Sequence, residues 1–277
     1  MRLGILASWR GTNAKAIFDH VRLGVLKGVE PAVLIYSDAE APVRKIAESY
    51  GVDAVYVPHR GVPRSRREEE VLQTLRQYGV ELVALAGYDY ILSASFIEQY
   101  RWRILNIHPS LLPFAGGKGM HGMRVHAEVY RAGVKITGAT VHLVDESIDG
   151  GPVLDQWPVY IGDIYAMDLP YEQKLEVLAS RVLIYEHRLY SRVIQALADG
   201  RLELRAEKVK APRVVEEGGR IKYIEEEVER TYATLKIDEA WMRQWRERQR
   251  IYVEFQLKEW GESGKPMDLI CPHGCLD

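Results

Sequence analysis

Only two cysteines occur in the 277 residues, Cys271 and Cys275, and both stand in one short stretch, Cys271-Pro272-His273-Gly274-Cys275. A single C-x-x-x-C with one histidine lacks the second ligand pair of a four-coordinate structural zinc site, so no metal is expected, and neither is a disulfide-dependent fold. Long apolar runs are missing as well. No segment approaches the roughly 18 consecutive apolar residues of a membrane span, and Met1-Arg2-Leu3-Gly4-Ile5-Leu6-Ala7 is too short for a signal peptide. Nor does one sign of charge dominate: 37 Lys and Arg against 39 Asp and Glu give a net charge of −2. Such balance argues against whole-molecule attraction to nucleic acid or membrane. What remains is a cytoplasmic protein whose 47% hydrophobic content suffices for one large domain with an appendage.

Short apolar runs alternate with amphipathic segments through the first half. Arg2 to Ala7, Ala32 to Tyr36, Val52 to Val57, Leu82 to Ala86 and Ile104 to Ile107 read as strands. Helices over Asn13 to Leu26, Pro42 to Tyr50 and about Arg66 to Tyr78 lie between them. Continuous apolar strands separated by helices predict a doubly wound, mostly parallel, Rossmann-like α/β sheet covered on both faces. A helix from about Arg124 to Arg131, strands over Thr137 to Val144 and Val153 to Tyr160, and a long helix from Tyr171 to Leu197 follow. Leu202 to Lys208, Arg213 to Val215 and Arg220 to Ile224 read as short strands, the last two around a Glu216-Glu217-Gly218-Gly219 turn.

The chemistry concentrates in two blocks. In Asn106-Ile107-His108-Pro109-Ser110-Leu111-Leu112-Pro113, residues two apart on a strand share a face, so Asn106 and His108 converge on one small volume. Pro109 ends the strand and puts the imidazole at a carboxyl end, where open α/β sheets bind ligands. Downstream, Gly138-Ala139-Thr140-Val141-His142-Leu143-Val144 runs into an acidic loop, Asp145 to Asp149, closed by Gly150-Gly151. Amide, imidazole and carboxylate are the parts for holding an oxyanion and moving a proton beside it. Between the blocks, the glycine-rich stretch Ala115 to Gly122 is placed to close over a substrate. The turn Ala7-Ser8-Trp9-Arg10-Gly11-Thr12-Asn13 joins a strand to a helix start, where backbone N–H groups suit an anion.

At these residues the chain resembles the folate-dependent formyltransferases, most closely the branch that acts on glycinamide ribonucleotide. The signature N-I-H-P-S-L-L-P, followed by G-x-T-V-H-x-V-x-x-x-x-D-x-G-P, carries the resemblance, which extends to about residue 224. It implies direct transfer of a formyl group from 10-formyltetrahydrofolate to an amine, with no metal and no covalent enzyme intermediate. Asn106, His108 and Asp149 are then the catalytic trio: the amide and a protonated imidazole stabilise the oxyanion, and the carboxylate supports the imidazole and relays protons. Gly11, Thr12 and Asn13 match the part of S-G-x-G-[ST]-N that holds the substrate phosphate, although Trp9 replaces a glycine. Glu186-His187-Arg188-Leu189-Tyr190 resembles E-H-x-L-Y-P, whose Glu binds the ribose hydroxyls, with Ser191 in place of the proline. Ala86-Gly87-Tyr88-Asp89-Tyr90-Ile91-Leu92 resembles A-G-[FY]-x-x-I-L, so the folate is expected across Tyr88, Tyr90, Ile91 and Leu92 and the loop from Val144 and Asp145 to Asp149. Tyr90 stands where Arg is commoner, and Arg64 matches an arginine that approaches the folate's tail carboxylates. His126 and His142 match histidines in supporting roles.

The expected organisation is a transfer domain over 1–224, with a phosphate-binding half over 1–100 and a folate and catalytic half over 101–224, and an extension over 225–277. In the extension Asp238 is a plausible N-cap for a helix to Trp260, in which Trp241, Trp245, Tyr252 and Phe255 recur at near-helical spacing. Such a stripe is costly to leave in water and should pack on the catalytic domain or on the second copy of a homodimer. Other readings are transfer to an amino sugar nucleotide or methionyl-tRNA, hydrolysis of formyl folate, and non-catalytic folate or nucleotide binding. About fifty residues beyond the family core are too few for the barrel domain of the tRNA enzymes, whose P-x-x-R-G-x-x-P loop is also absent. A hydrolase is expected to carry an amino-terminal regulatory domain before the first strand. An intact trio speaks against a mere binder.

Overall fold

The computed structural model describes residues 1–217, 220–264 and 266–271. Strands and helices alternate as β1 (Arg2–Ala7), α1 (Thr12–Arg22), β2 (Glu30–Tyr36), α2 (Val43–Ser49), β3 (Ala54–Tyr56), α3 (Arg64–Gln77), β4 (Leu82–Leu85), α4 (Ala94–Gln99) and β5 (Ile104–His108). Then come α5 (Met123–Arg131), β6 (Ile136–Leu143), β7 (Val153–Tyr160), α6 (Tyr171–Ala198), β8 (Leu202–Glu217), β9 (Arg220–Leu235), α7 (Glu239–Glu262) and the single turn α8 (Met267–Ile270). Seven strands form one sheet in the order β3-β2-β1-β4-β5-β6-β7. The first five are parallel, and β6 and β7 join antiparallel. This is the doubly wound, mostly parallel architecture that the alternation of apolar runs predicts.

Both faces of the sheet are buried because successive side chains point to opposite sides. Leu3, Ile5, Leu34 and Leu105 enter the core beneath α1 and α6. Leu6, Val33, Ile35, Val83 and Ile104 enter a second core with Val71 and Leu75 of α3 and Phe96 and Ile97 of α4. The short helix α4 was not legible as a periodic segment; Ser93 starts it by accepting from Phe96 N. Gly24, at φ 69°, turns the chain just beyond α1, which therefore stops short of Leu26. Strand order reverses direction between β1 and β4, so their carboxyl ends open the crevice in which such sheets bind ligands.

The region after α6 departs from the expected short strands. β8 and β9 are 16 residues each and pair antiparallel from Leu202↔Leu235 to Glu217↔Arg220, forming an arm about 50 Å long. The run Glu225-Glu226-Glu227, beyond the predicted strand end at Ile224, continues as strand, with lysines on the facing strand. Lys210 pairs with Glu225 at 3.2 Å and Lys208 with Glu227 at 3.8 Å. β9 thus runs through Ile224, where the sequence reading closes the transfer domain. Gly218 and Gly219 of the predicted turn lie outside the described residues, as do His273 and Cys275. Cys271 is disulfide-bonded.

Asp238 caps α7 as its sequence predicts, accepting from Trp241 N at 2.7 Å. The helix lies back on the domain: Trp241, Trp245 and Tyr252 join the core beneath α1 and α6, with Phe255 packed at its edge. No helix of the described residues is long and apolar enough to cross a membrane, and none of the described His, Cys, Asp and Glu side chains group as a metal site would require.

Candidate active site

Antiparallel register brings the two sequence blocks together. Asn106 on β5 lies directly across from His142 on β6, and His108 lies across from Thr140. Asn106 Nδ2 donates to His142 Nε2 at 3.1 Å. His142 Nδ1 lies 2.9 Å from the carbonyl oxygen of Leu143, so that nitrogen carries the proton and Nε2 is free to accept. Burial holds the His142 pKa below its ordinary value, in keeping with this neutral ring. The pairing fixes which way the Asn106 amide points, and Nδ2 donates a second, longer bond to Asp149 Oδ1.

Asp149 reaches the same place from the β6–β7 connection. Its Oδ1 is 3.5 Å from Asn106 Nδ2 and 3.8 Å from His142 Nε2, and its Oδ2 is 3.7 Å from His108 Nδ1. Asp149 itself sits at φ 56°, a left-handed conformation that an Asp tolerates. The loop that carries it closes tightly: a Cβ at Gly151 would come 2.0 Å from Leu143 O. His108 is 3% exposed and donates from Nε2 to Ala115 O at 2.9 Å, while Gly117 N donates to Asp149 Oδ2 at 3.0 Å. The glycine-rich stretch therefore lies over both groups.

Sequence reading missed the residues that hold this loop. Thr140 Oγ1 donates to Ser110 O at 2.6 Å and accepts from Leu112 N at 3.0 Å and Gln156 Nε2 at 2.9 Å. Ser110 Oγ in turn donates to Phe114 O at 2.5 Å. Thr140 stands within the quoted block, and its alternation to the His108 side of β6 was the available signal. His126 is buried, and that desolvation, with the neighbouring His108 as the smaller cause, pushes its pKa down to about 4. It supports the site as a neutral ring.

A second cluster sits at the carboxyl end of β1. Gly11 precedes α1 at φ 69°, and a Cβ there would come 2.2 Å from Val43 Cγ2, so only glycine lets the loop pass. Thr12 and Asn13 form the first turn of α1, with their N–H groups facing out of the helix end. Asn13 Nδ2 donates to Glu186 Oε2 on α6 at 3.0 Å. Glu186 is 7% exposed, and burial pushes its pKa up to about 7 against one helpful bond from Asn13. A buried carboxyl beside a helix start offers an acceptor to hydroxyl donors and backbone N–H groups to an anion. Trp9, 55% exposed, extends from the same loop and donates to Asp89, tying it to the β4–α4 loop.

That β4–α4 loop carries the predicted folate residues. Tyr88 and Leu92 lie against the second core, whereas Ile91 is 55% exposed at the crevice mouth. Burial pushes the Tyr88 hydroxyl up to about 12, so it remains a neutral donor. The Arg67 guanidinium lies over the Tyr90 ring at 4.4 Å, and the His59 ring meets it tilted by 45° with centroids 4.6 Å apart. Arg64 donates from Nη2 to Ile91 O at 2.8 Å and pairs with Glu68 at 3.1 Å, leaving a half-exposed guanidinium at the rim. Val144 N donates to Ile104 O, and the Asp145 carboxylate accepts from Ser147 N at 2.9 Å within its own loop.

The formyl transferase family model matches residues 1–194. A chloroplastic phosphoribosylglycinamide formyltransferase of Vigna unguiculata is 35% identical over 209 residues, covering 75% of this chain. The match spans 64% of that relative's length. The Bacillus subtilis phosphoribosylglycinamide formyltransferase is 31% identical, covering 71% of this chain and 94% of its own. Among solved structures, glycinamide ribonucleotide transformylase 1 from Symbiobacterium toebii superposes with a TM-score of 0.65 at 33% identity, covering 81% of this chain and 94% of its own.

Proposed function

The chain belongs to the formyl transferase family, and from that premise we propose that it moves the formyl group of 10-formyltetrahydrofolate onto the primary amine of glycinamide ribonucleotide. The observation that carries this reading is the pair of clusters at the carboxyl edge of one sheet. An amide, an imidazole and a carboxylate meet around Asn106, and a helix start with a buried carboxyl lies at Gly11 to Asn13 and Glu186. Phosphate belongs on the N–H groups of Gly11, Thr12 and Asn13, and the ribose hydroxyls on Glu186. Folate lies across Tyr88, Tyr90, Ile91, Leu92, Val144 and Asp145, with Arg64 toward its acidic tail.

In this reading the amine attacks the formyl carbon and the carbonyl oxygen becomes an oxyanion. The Asn106 N–H that faces Asp149 in the free protein and the Nε2–H of His108 stabilise it, so Asn106 must release Asp149 and the loop must give up the Ala115 bond to His108 when substrate enters. Asp149 takes the proton from the attacking nitrogen, and a proton returns to the folate nitrogen as the carbon–nitrogen bond to it breaks. His142 holds the Asn106 amide and stays neutral. No step calls for a metal.

The transfer domain of this proposal is 1–224, divided at about residue 100 into phosphate-binding and folate-binding halves. The protein is a cytoplasmic enzyme of small molecules, without nucleic acid or membrane partners, and a homodimer is checked by light scattering. Purified protein with 10-formyltetrahydrofolate and a panel of amines tests the function. Glycinamide ribonucleotide should be formylated far faster than amino sugar nucleotides or methionyl-tRNA. Release of formate without an amine acceptor would replace transfer by hydrolysis.

A further inference from the structure

The helix α7 lies outside the matched family region, yet it grips the back of the ribonucleotide cluster. Its buried residues Trp241, Trp245, Gln249, Tyr252, Gln256 and Trp260 recur at intervals of three or four, forming one stripe. Apolar burial would suffice to dock it, but the stripe carries polar groups that select particular partners. Gln256 Nε2 lies 3.1 Å and Tyr252 OH 3.2 Å from His187 Nδ1, the ring next in sequence to Glu186. An amide nitrogen only donates, so His187 Nδ1 accepts and the ring orientation is set from α7.

The same helix holds α1, the other half of the cluster. Glu259 accepts from Lys15 Nζ at 2.8 Å, two residues beyond Asn13. Gln249 Nε2 lies 3.1 Å from His20 Nε2, whose ring stacks on Tyr252 at 3.6 Å. Asn13 and Glu186 are thus bonded to each other at 3.0 Å on one side, while their helices are clamped by α7 on the other. A buried carboxyl with a single donor depends on its neighbours for its position.

We propose that Gln256 and Tyr252 are positioning residues for the ribonucleotide. Through His187 they set the rotation of α6 that presents the Glu186 carboxylate, and so tune binding of the ribose hydroxyls. The inference rests on the ribonucleotide site proposed above. Gln256→Leu and Tyr252→Phe keep the volume of the stripe and together remove both donors to His187. Gln256 Oε1 is buried with no hydrogen-bond partner, so leucine also relieves an unsatisfied acceptor and the fold should tolerate it.

In the double variant the ribonucleotide KM should rise about tenfold, the factor that loss of about one good hydrogen bond gives. The kcat and the formyl-folate KM should stay within about twofold of wild type. Trp241→Phe, which loses the indole bond to Asp199 at the far end of α7, is the control. It should lower the melting temperature without moving the ribonucleotide KM. An unchanged ribonucleotide KM in the double variant overturns the proposal. So does a parallel loss of kcat and both KM values that tracks the melting temperature across all variants. If wild type does not formylate glycinamide ribonucleotide, the functional reading fails by itself, and positioning is then read from the carbon-13 titration of the Glu186 carboxyl. A midpoint shifted in the double variant but not in Trp241→Phe upholds the clamp, and an unshifted one overturns it.

Discussion

Asn106, His108 and Asp149 are each held by bonds that differ in kind, and their removal should therefore cost chemistry more than fold. Replacing any one by Ala should cut formyl transfer by about two or more decades, the scale of losing an oxyanion donor or its proton partner. Circular dichroism and melting curves should stay close to wild type, because His108 ends β5, Asp149 lies in a loop and Asn106, within β5, is only partly buried. A near-normal rate in any one variant removes that residue from the trio. Glu186 makes a separate prediction in pH. Its carboxyl is pushed from 4.5 up to about 7 by burial, so the folded protein retains a proton that the unfolded chain has released. Stability from this group is complete below about 4.5 and is lost as pH rises through about 7, a change of about 3 kcal/mol. Glu186→Gln should flatten that decline and raise the melting temperature of the ligand-free protein at pH 8. In the wild type the ribonucleotide KM should rise as pH falls below about 7, since the hydroxyls need an ionised acceptor. Glu186→Ala should raise that KM more than it lowers kcat. A pH-independent KM would detach Glu186 from the ribose.

Among the elements, the β1–α1 loop and α7 show how differently local sequence and tertiary contact specify structure. Gly11 combines φ 69° with a wall formed by Val43. Gly11→Ala should destabilise the protein by at least about 1 kcal/mol from backbone conformation alone, and should weaken ribonucleotide binding as the loop moves. Denaturant titration and the ribonucleotide KM check both halves. In α7, Trp245 is 2% exposed and stacks at 5.9 Å on Trp241. Trp245→Ala should cost about 3–5 kcal/mol, as a large aromatic lost from a core does. A loss below 1 kcal/mol would mean that the helix is not docked in solution. The cap at Asp238 and the aromatic spacing of this helix were readable in advance. Its partner was not, because an apolar stripe asks for burial without naming the surface that supplies it.

For the molecule as a whole, the long β8–β9 arm is the part least tied to the chemistry. Its base residues Leu202, Leu204, Ala233 and Leu235 pack on the core, whereas Lys208, Lys210, Glu225 and Glu227 are exposed beyond it. Joining Lys208 to Glu229, which face each other in the register, through Asn-Gly should leave transfer within about twofold. Gel filtration of the shortened protein reports whether the arm also serves assembly, and a large loss of activity would place it in the site. By itself the sequence determined the doubly wound class, because runs that alternate in period can be buried only as strands between helices. It also put an amide and an imidazole two apart on one strand and a carboxylate after a second, while the family resemblance singled out Asn106, His108 and Asp149 as the proposed trio. Only tertiary structure decided that His142 faces Asn106, that Thr140 and Gly117 hold the loop over Asp149 and His108, and that α7 clamps His187 and Lys15. Those decisions depend on strand register and on docking between segments far apart in the chain, which the local periodicity of hydrophobic residues does not encode.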